Sequence, residues 1–555
     1  MIFEPELRVP IPTTDILTYI FANPYYDPHK PVYIDVLDPS RSISLAQART
    51  IIRQLIAGLR AWGVKEGDCV AIHSFNDIYY CMLVLATIGL GGIFTGTNPS
   101  YTSHELAHHF RTAEVRFVLS EPEILGPVAE AAKVVGIPDE NVRIFNTQPT
   151  QTILAGKVSW NDLFNHGEVG WIEFDDEVKS RTTAAARLFS SGTTGLPKAV
   201  TITHGNFVAQ QEVIYEIHQR DYERSRIVAT PIFHAAVAPS THVGALKSGH
   251  TIYMVRRFDL TLYLQTCIKY QITELALVPP LVIALLMNDM THKKPYLRSV
   301  RSASCGAAPL DKGVQARLGK LLEPGAPFTQ VWGMTETTCI AMCFVHPESD
   351  DTGSVGRLVA NVEAKLVDEQ GKNISAYDTR GELCVRGPTV TPGYFNNPAA
   401  NSDSFDEDGW FHTGDIAYCD AESRKWYIVD RKKELIKVRG FQVAPPELEA
   451  VLLSHPLVVD AAVIGIKDRR ESGSELVRAY VVRRPGKGEG LTEGEVKWFL
   501  EGKLAKYKAL TGGVRFVNVI PKTASGKILK RVLREEAERE SKGRGEGVGE
   551  DMAKL

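Results

Sequence analysis

The run Leu188-Phe189-Ser190-Ser191-Gly192-Thr193-Thr194-Gly195-Leu196-Pro197-Lys198-Ala199-Val200 sets four hydroxyl residues, two glycines and a lysine between two apolar ends. The ends read as short strands and the middle as a tight turn between them. Glycine lets a backbone approach a ligand closely. Hydroxyls and bare amides donate hydrogen bonds, and the lysine adds a point charge. The combination suits a polyanion, most simply the phosphates of a nucleotide. It is not a Walker loop, because Pro197 stands where the second glycine of G-x-x-x-x-G-K-[ST] belongs. The plain alternative is a surface turn, against which the density of donors and the Pro-Lys stop both argue.

Three other segments carry reactive side chains. Gln330-Val331-Trp332-Gly333-Met334-Thr335-Glu336-Thr337 offers an aromatic face on which a purine can stack, a hydroxyl, and a carboxylate able to hold magnesium against phosphate oxygens. The bland reading is a buried tryptophan at a strand end with a capping acid. Asp415, after Gly414 in Trp410-Phe411-His412-Thr413-Gly414-Asp415, can take both hydroxyls of a ribose, or be a turn aspartate. Gly526-Lys527, on a turn within Pro521–Ile528, projects an ammonium group that is otherwise simply solvated. A fourth pattern, His104-Glu105-Leu106-Ala107-His108, fits the zinc-protease motif H-E-x-x-H. Thr102 and Glu105, however, make a capping box, and no third ligand follows at metzincin spacing, so no metal is expected there.

The elements that must position these groups alternate. Apolar residues at helical spacing over 44–62 stop at Gly63, and 69–72 reads as a buried strand. Strands are expected at 115–119, 227–230, 251–255 and 274–278, an α/β pattern on parallel or mixed sheet. From 352 to 429 short β runs with many glycines fit a small β-barrel or sheet. A strand at 425–429 ends in the charged stretch Asp430–Glu434, which reads as a linker. Then come helix 446–453, strands 458–466 and 476–483, helix 492–506 and strand 514–519, a separate α+β domain. The expected organisation is a large domain over 1–429, a hinge at 430–434, a small domain over 435–540, and a flexible tail over 541–555.

Composition narrows the classes. A chain of 555 residues exceeds one core, and 44% apolar with 23% charged residues is ordinary for a soluble globular protein. A net charge of −3 argues against a general nucleic-acid binder. The eight cysteines form no C-x-x-C pair, which points to free thiols in a reducing compartment. The first residues lack a basic and apolar leader, and the longest apolar stretch, Cys81 to Phe94, is too short to span a bilayer. The terminal Ala553-Lys554-Leu555 is a close variant of the peroxisomal S-K-L address, which predicts a peroxisomal import receptor as partner.

Together these segments resemble the superfamily of adenylate-forming enzymes: acyl-CoA synthetases, peptide-synthetase adenylation domains and beetle luciferases, and in particular its 4-coumarate:CoA ligase-like branch. The likeness runs from about residue 30 to 535. It takes in Pro231–His234, Cys305–Pro309, Gly393-Tyr394 and Asp430 to Gln442 besides the stretches above, and Asn98–Leu106, which further weakens the zinc reading.

The resemblance implies an ATP-dependent ligase using ATP, Mg2+ and coenzyme A. In it Ser190, Ser191, Gly192, Thr193, Thr194, Gly195 and Lys198 would close over the β- and γ-phosphates, and His234 would be the aromatic gate beside the reacting carboxylate. Gly306, Ala307 and Ala308 would wall the adenine and acyl pocket. Gln330, Val331 and Trp332 would line it, with Trp332 as the stacking face. Thr335 would touch the α-phosphate and Glu336 serve magnesium; Asp415 would bind ribose, and Arg431 ribose or phosphate, with Lys433 beside them. Lys527 would be the adenylation lysine and Lys437 and Gln442 would serve the second half-reaction. Arg439, Gly440 and Arg257 would meet CoA. Departures from the family pattern are Ala199 and Val331 in place of glycines, Trp332 for tyrosine and Arg439 for lysine. Val331 is expected to narrow the acyl pocket against a flat hydroxycinnamate. Transfer to a carrier-protein thiol, an inactive nucleotide- or acyl-CoA-binding protein, and a luciferase-like oxidation stay open as alternatives.

Overall fold

The computed structural model describes residues 1–190, 197–432, 434–438, 441–467, 475–504, 506–523, 526 and 528–546, with backbone only at 437, 441, 442 and 541–546. By compactness the chain divides into Met1–Lys365 with Cys384–His412, and Leu366–Leu383 with Thr413–Leu555.

The first unit is built on two seven-stranded sheets. One runs in the order Phe328–Gln330, Ser302–Cys305, Glu274–Leu277, Ser225–Val228, Thr251–Met254, Pro31–Asp35, Ser42–Ser44. All its neighbours are parallel except the last pair. The other runs Gly393–Tyr394, Lys198–Thr203, Ala184–Ser190, Ile93–Thr97, Cys69–His73, Val115–Ser120, Val142–Ile144. It is parallel through its middle and antiparallel where the first three strands meet. The sheets are therefore mixed, as the alternating pattern predicts. The helix expected over 44–62 spans Leu45–Ala61, opened by a Ser44/Gln47 capping box. Ile78–Gly89 is apolar on every face and almost wholly buried between elements of the main core.

The β-rich stretch is a four-stranded sheet in the order Glu363–Val367, Gly381–Arg386, Phe411–Cys419, Trp426–Arg431. The last strand runs two residues further than its apolar pattern suggests, because Asp430 and Arg431 find partners in Ile416 and Asp415. In the second unit Pro445–Leu453, Val458–Lys467, Glu475–Arg483 and Val514–Phe516 follow the expected order around a core of their own. The helix expected over 492–506 is shorter, Glu493–Glu501, ending at Gly502, where helix propensity is low. Among the described residues no helix is long and apolar enough to cross a membrane.

Candidate functional site

In the first unit, three strands of one parallel stretch of sheet, two adjacent and the third beyond Glu274–Leu277, deliver site residues from their C-terminal ends, where open α/β sheets bind ligands. Cys305 leads into Gly306, Gln330 into Val331, and Val228 into the turn Thr230–His234. Val331 N–H donates to the Cys305 carbonyl at 2.9 Å. A Cβ on Gly306 would lie 2.8 Å from Val331 Cγ2, so the valine leans over the glycine. Ala307 takes a left-handed backbone, φ 72°, which is uncommon for a residue with a Cβ. Ala308 beside it is half-buried.

Gln330, expected among the nucleotide contacts, works from behind the wall. Its amide oxygen accepts from Leu310 N–H and its nitrogen donates to the Leu310 carbonyl and to Gln315 Oε1, all at 3.0–3.1 Å. Both of its amide protons are thereby taken within the protein. Trp332 is buried, and its backbone pairs with Met342. Gly333 allows this bend: a Cβ there would lie 1.6 Å from the Cys339 carbonyl oxygen. Thr335–Thr337 then forms a short 3-10 turn packed against Ala184–Ser190.

The turn carrying His234 is clamped by residues that sequence reasoning missed. Asn76 Nδ2 donates to the carbonyls of Thr230 (3.0 Å) and Val255 (3.2 Å), and Asn76 Oδ1 accepts from Ile232 N–H at 3.1 Å. His242 Nε2 donates to the Ile232 carbonyl at 2.9 Å, and burial pulls this ring down to a pKa of about 4, so it is neutral. His234 is also lowered by burial, and its Nδ1 accepts from Ala236 N–H at 3.2 Å, which leaves the ring proton on Nε2. No local pattern links Asn76 to a turn more than 150 positions on.

Ser190 and Lys198 close the hairpin as register partners. Residues 191–196 between them, hence Ser191, Gly192, Thr193, Thr194 and Gly195, lie outside the described residues. Ser190 Oγ is buried with no hydrogen-bond partner among the described residues. The base of the hairpin is buttressed by the helix Ser103–Thr112, which holds the H-E-x-x-H pattern. Its Thr102/Glu105 capping box is present. His108 Nε2 lies 3.0 Å from the Pro197 carbonyl, and His109 stacks on Phe189 with centroids 3.7 Å apart.

Lys198 Nζ sits over the Tyr394 ring, 4.6 Å from its centroid, and the Tyr394 hydroxyl donates to Glu336 Oε1 at 2.8 Å. Three groups far apart in sequence thus meet in one cluster, Tyr394 and Glu336 buried and Lys198 half-buried. Magnesium fits this donor set: it takes one or two carboxylates plus substrate phosphates and keeps waters, so a single Glu336 suffices. Glu336 Oε2 makes no hydrogen bond among the described residues. Arg257 is exposed, its guanidinium 3.6 Å from the Phe75 ring centroid.

In the second unit Asp415 and Arg431 are cross-strand partners, with Arg431 Nε 2.6 Å from Asp415 Oδ1. Gly414 turns the strand with φ 69°, its N–H donating to Glu382 Oε1 at 3.2 Å. Lys437 and Gln442 are register partners in the hairpin Ile436–Val438 and Phe441–Val443, so the two residues expected to serve thioester formation are brought together. Lys433, Arg439, Gly440 and Lys527 lie outside the described residues.

Next to this hairpin in sequence is a buried cluster of three acids and one ammonium. Lys530 Nζ lies 3.1 Å from Glu449 and 3.6 Å from Glu434. Asp430 feels the ammonium without touching it; burial, with repulsion from Glu434 and Glu449, pushes its carboxyl up to about 7. Lys530 is raised, because three acids hold its charge. An unfolded aspartate ionises near pH 4. Folding therefore penalises ionised Asp430: the penalty is absent below pH 4, grows as pH rises to 7 and is constant above. Asp430→Asn should raise the melting temperature at pH 8, by an amount equivalent to roughly 1–2 kcal/mol. That gain should vanish by pH 4; an equal gain at both pH values would contradict the assignment.

The family model for AMP-binding enzymes matches residues 21–395, and that for the AMP-binding enzyme C-terminal domain matches 447–527. The chain is 54% identical over 535 residues to a phenylacetyl-CoA ligase, epaB, of Aspergillus niger, covering 96% of this chain and 98% of that one. It is 53% identical to an acyl-CoA ligase, azaF, of the same species, covering 96% and 100%. Among solved structures, ATP-bound MatB from Rhodopseudomonas palustris superposes with a TM-score of 0.82 at 28% identity, covering 94% of this chain and 98% of that one. The chain therefore belongs to the family of AMP-binding, adenylate-forming enzymes.

Proposed function

We propose that this enzyme activates an aryl or medium-chain carboxylic acid, with arylacetic acids of the phenylacetate kind as the leading class. It is an ATP-dependent acyl-CoA ligase, an acid–thiol ligase that works through an acyl-adenylate. The observation that carries the acid class is the near full-length likeness to a phenylacetyl-CoA ligase, supported by Val331 leaning over Gly306.

A carboxylate is a poor electrophile, so a carboxylate oxygen first attacks the α-phosphorus of ATP and pyrophosphate leaves. The CoA sulfur then attacks the acyl carbon, the acyl C–O bond breaks, and AMP leaves. The first step needs negative charge neutralised along the triphosphate, the work of Lys198, Lys527 and the hydroxyl loop. Magnesium held by Glu336 would supply further Lewis-acid charge there. Val331, Gly306 and Ala307 shape the acyl pocket beside His234, and the neutral ring presents Nε2–H as a donor. Asp415 and Arg431 take the ribose. The small domain over 435–540 swings about 430–434 between half-reactions, exchanging Lys527 for Lys437 and Gln442, with Arg439, Gly440 and Arg257 toward CoA. The peroxisomal reading of Ala553-Lys554-Leu555 has a direct test: a fluorescent fusion ending in these three residues should collect in peroxisomes and turn diffuse when they are removed.

The test is incubation with ATP, Mg2+ and a carboxylate panel, with and without CoA. Phenylacetate should give AMP and a thioester only with CoA. Adenylate forming while CoA stays inert would point to a carrier-protein acceptor, and no pyrophosphate from any acid to an inactive binding protein. In the same panel Val331→Gly should raise kcat/KM for 4-coumarate about tenfold relative to phenylacetate; no gain would remove Val331 from the pocket floor.

A further inference from the structure

We propose that Tyr394 is a positioning residue of the adenylation site, a spacer that holds Lys198 on one side and Glu336 on the other and keeps the two from pairing. The inference rests on the reading of Lys198 as a phosphate ligand and Glu336 as the magnesium carboxylate.

The placement of Tyr394 is built from several directions. Gly393–Tyr394 adds to the edge of Lys198–Thr203 as an antiparallel strand, with Tyr394 opposite Val200. Phe395 N–H donates to the Ala199 carbonyl at 2.8 Å. Asn401 grips the same backbone: its Oδ1 accepts from Tyr394 N–H at 2.7 Å and its Nδ2 donates to the Tyr394 carbonyl at 2.9 Å. Gly393 has φ 137°, and a Cβ there would lie 2.7 Å from Asn401 Oδ1, so glycine is required for the grip. Glu336 is held from its own side, its carbonyl accepting from Thr391 N–H at 2.9 Å. The ring therefore has a fixed address over Lys198, and its hydroxyl a fixed address at Glu336.

That geometry does three things. The electron-rich ring face attracts the ammonium and aims Lys198 without consuming its charge in an ion pair. The hydroxyl occupies one carboxylate oxygen, so Glu336 offers Oε2 to a cation in a single orientation. The phenol also stands between opposite charges, a half-buried ammonium and a buried carboxylate, which attract more strongly there than in open solvent. Without it the ammonium and carboxylate can collapse into a salt bridge, lost to phosphate and metal alike.

Calorimetric binding of a nonhydrolysable ATP analogue, once with EDTA and once with Mg2+, separates these effects. Tyr394→Phe keeps the ring and loses the hydroxyl. Its metal-free affinity should match wild type, while the tightening on adding Mg2+ falls at least fivefold. Tyr394→Leu loses both, and its metal-free affinity should weaken about tenfold as well. Melting temperatures accompany both variants: a Tyr394 that only packs would lower them while leaving the Mg2+ tightening at its wild-type value, and that outcome overturns the proposal. Glu336→Gln is the control. If it too keeps the full Mg2+ tightening, the metal reading of Glu336 falls; if it loses the tightening and Tyr394→Phe does not, only the spacer role falls. In pyrophosphate exchange, Tyr394→Phe should require at least fivefold more Mg2+ for half-maximal rate.

Discussion

Lys527→Ala should abolish adenylate formation, by a factor of 100 or more, yet leave thioester formation from supplied acyl-adenylate within a few-fold of wild type. Charge develops on the pentacovalent α-phosphorus during adenylation, and one preorganised donor aimed at such charge is commonly worth 10²–10³ in rate. That charge is absent when the CoA sulfur attacks the acyl carbon, so the lysine then has nothing to stabilise. Of its described neighbours, Lys522 pairs with Ile528, Gly526 N–H donates to the Thr523 carbonyl at 2.8 Å, and Gly526 has φ 84°. Lys522 is tied to Asp460 at 2.6 Å, which anchors the turn on the strand Val458–Lys467. Acyl-adenylate supplied directly, with thioester measured by chromatography, gives the second half-reaction alone. Equal loss in both halves would contradict a division of labour between Lys527 and the Lys437/Gln442 pair.

Gly333→Ala carries the other large effect. The new Cβ would lie 1.6 Å from the Cys339 carbonyl oxygen and 2.6 Å from its carbon. Both atoms are backbone, so no rotamer change relieves the overlap; either the Trp332–Cys339 loop moves or the fold bears the strain. Overpacking of this severity is worth more than about 3 kcal/mol. The loop is also held by Cys339 N–H to the Met334 carbonyl at 3.2 Å and by Thr338 Oγ1 to the Thr389 carbonyl at 2.7 Å, so displacement propagates to Thr335 and Glu336. A shift of 1 Å in positioned groups can cut rate about 100-fold. Pyrophosphate exchange should fall by that factor or more, and the melting temperature with it. Wild-type exchange at an unchanged melting temperature would mean that the loop does not approach itself this closely.

What the sequence by itself determined is what depends on near neighbours. Helical spacing over 44–62, the Thr102/Glu105 cap, the strands flanking the hydroxyl loop and the turn around Gly526 are set by contacts within a few positions, and periodicity and turn chemistry report those. The capping box also accounts for Glu105 in the zinc-like pattern, since its carboxylate bonds the Thr102 backbone. The strand that runs on through Asp430 and Arg431 escapes the same logic: two charged residues look like linker until Ile416 and Asp415 stand opposite them.

Only the tertiary structure decided which side chains meet. Gln330 lies in the segment expected to meet nucleotide but turns its amide to Leu310 and Gln315, a direction no spacing encodes. Tyr394 was legible as part of a family stretch but not as the contact between Lys198 and Glu336, because that contact arises where an edge strand docks beside the hairpin. The same holds for Asn76 and His242 at the His234 turn. A buried polar group must find a partner, and the fold, bringing distant strands side by side, supplies it from wherever in the chain the neighbouring backbone happens to come.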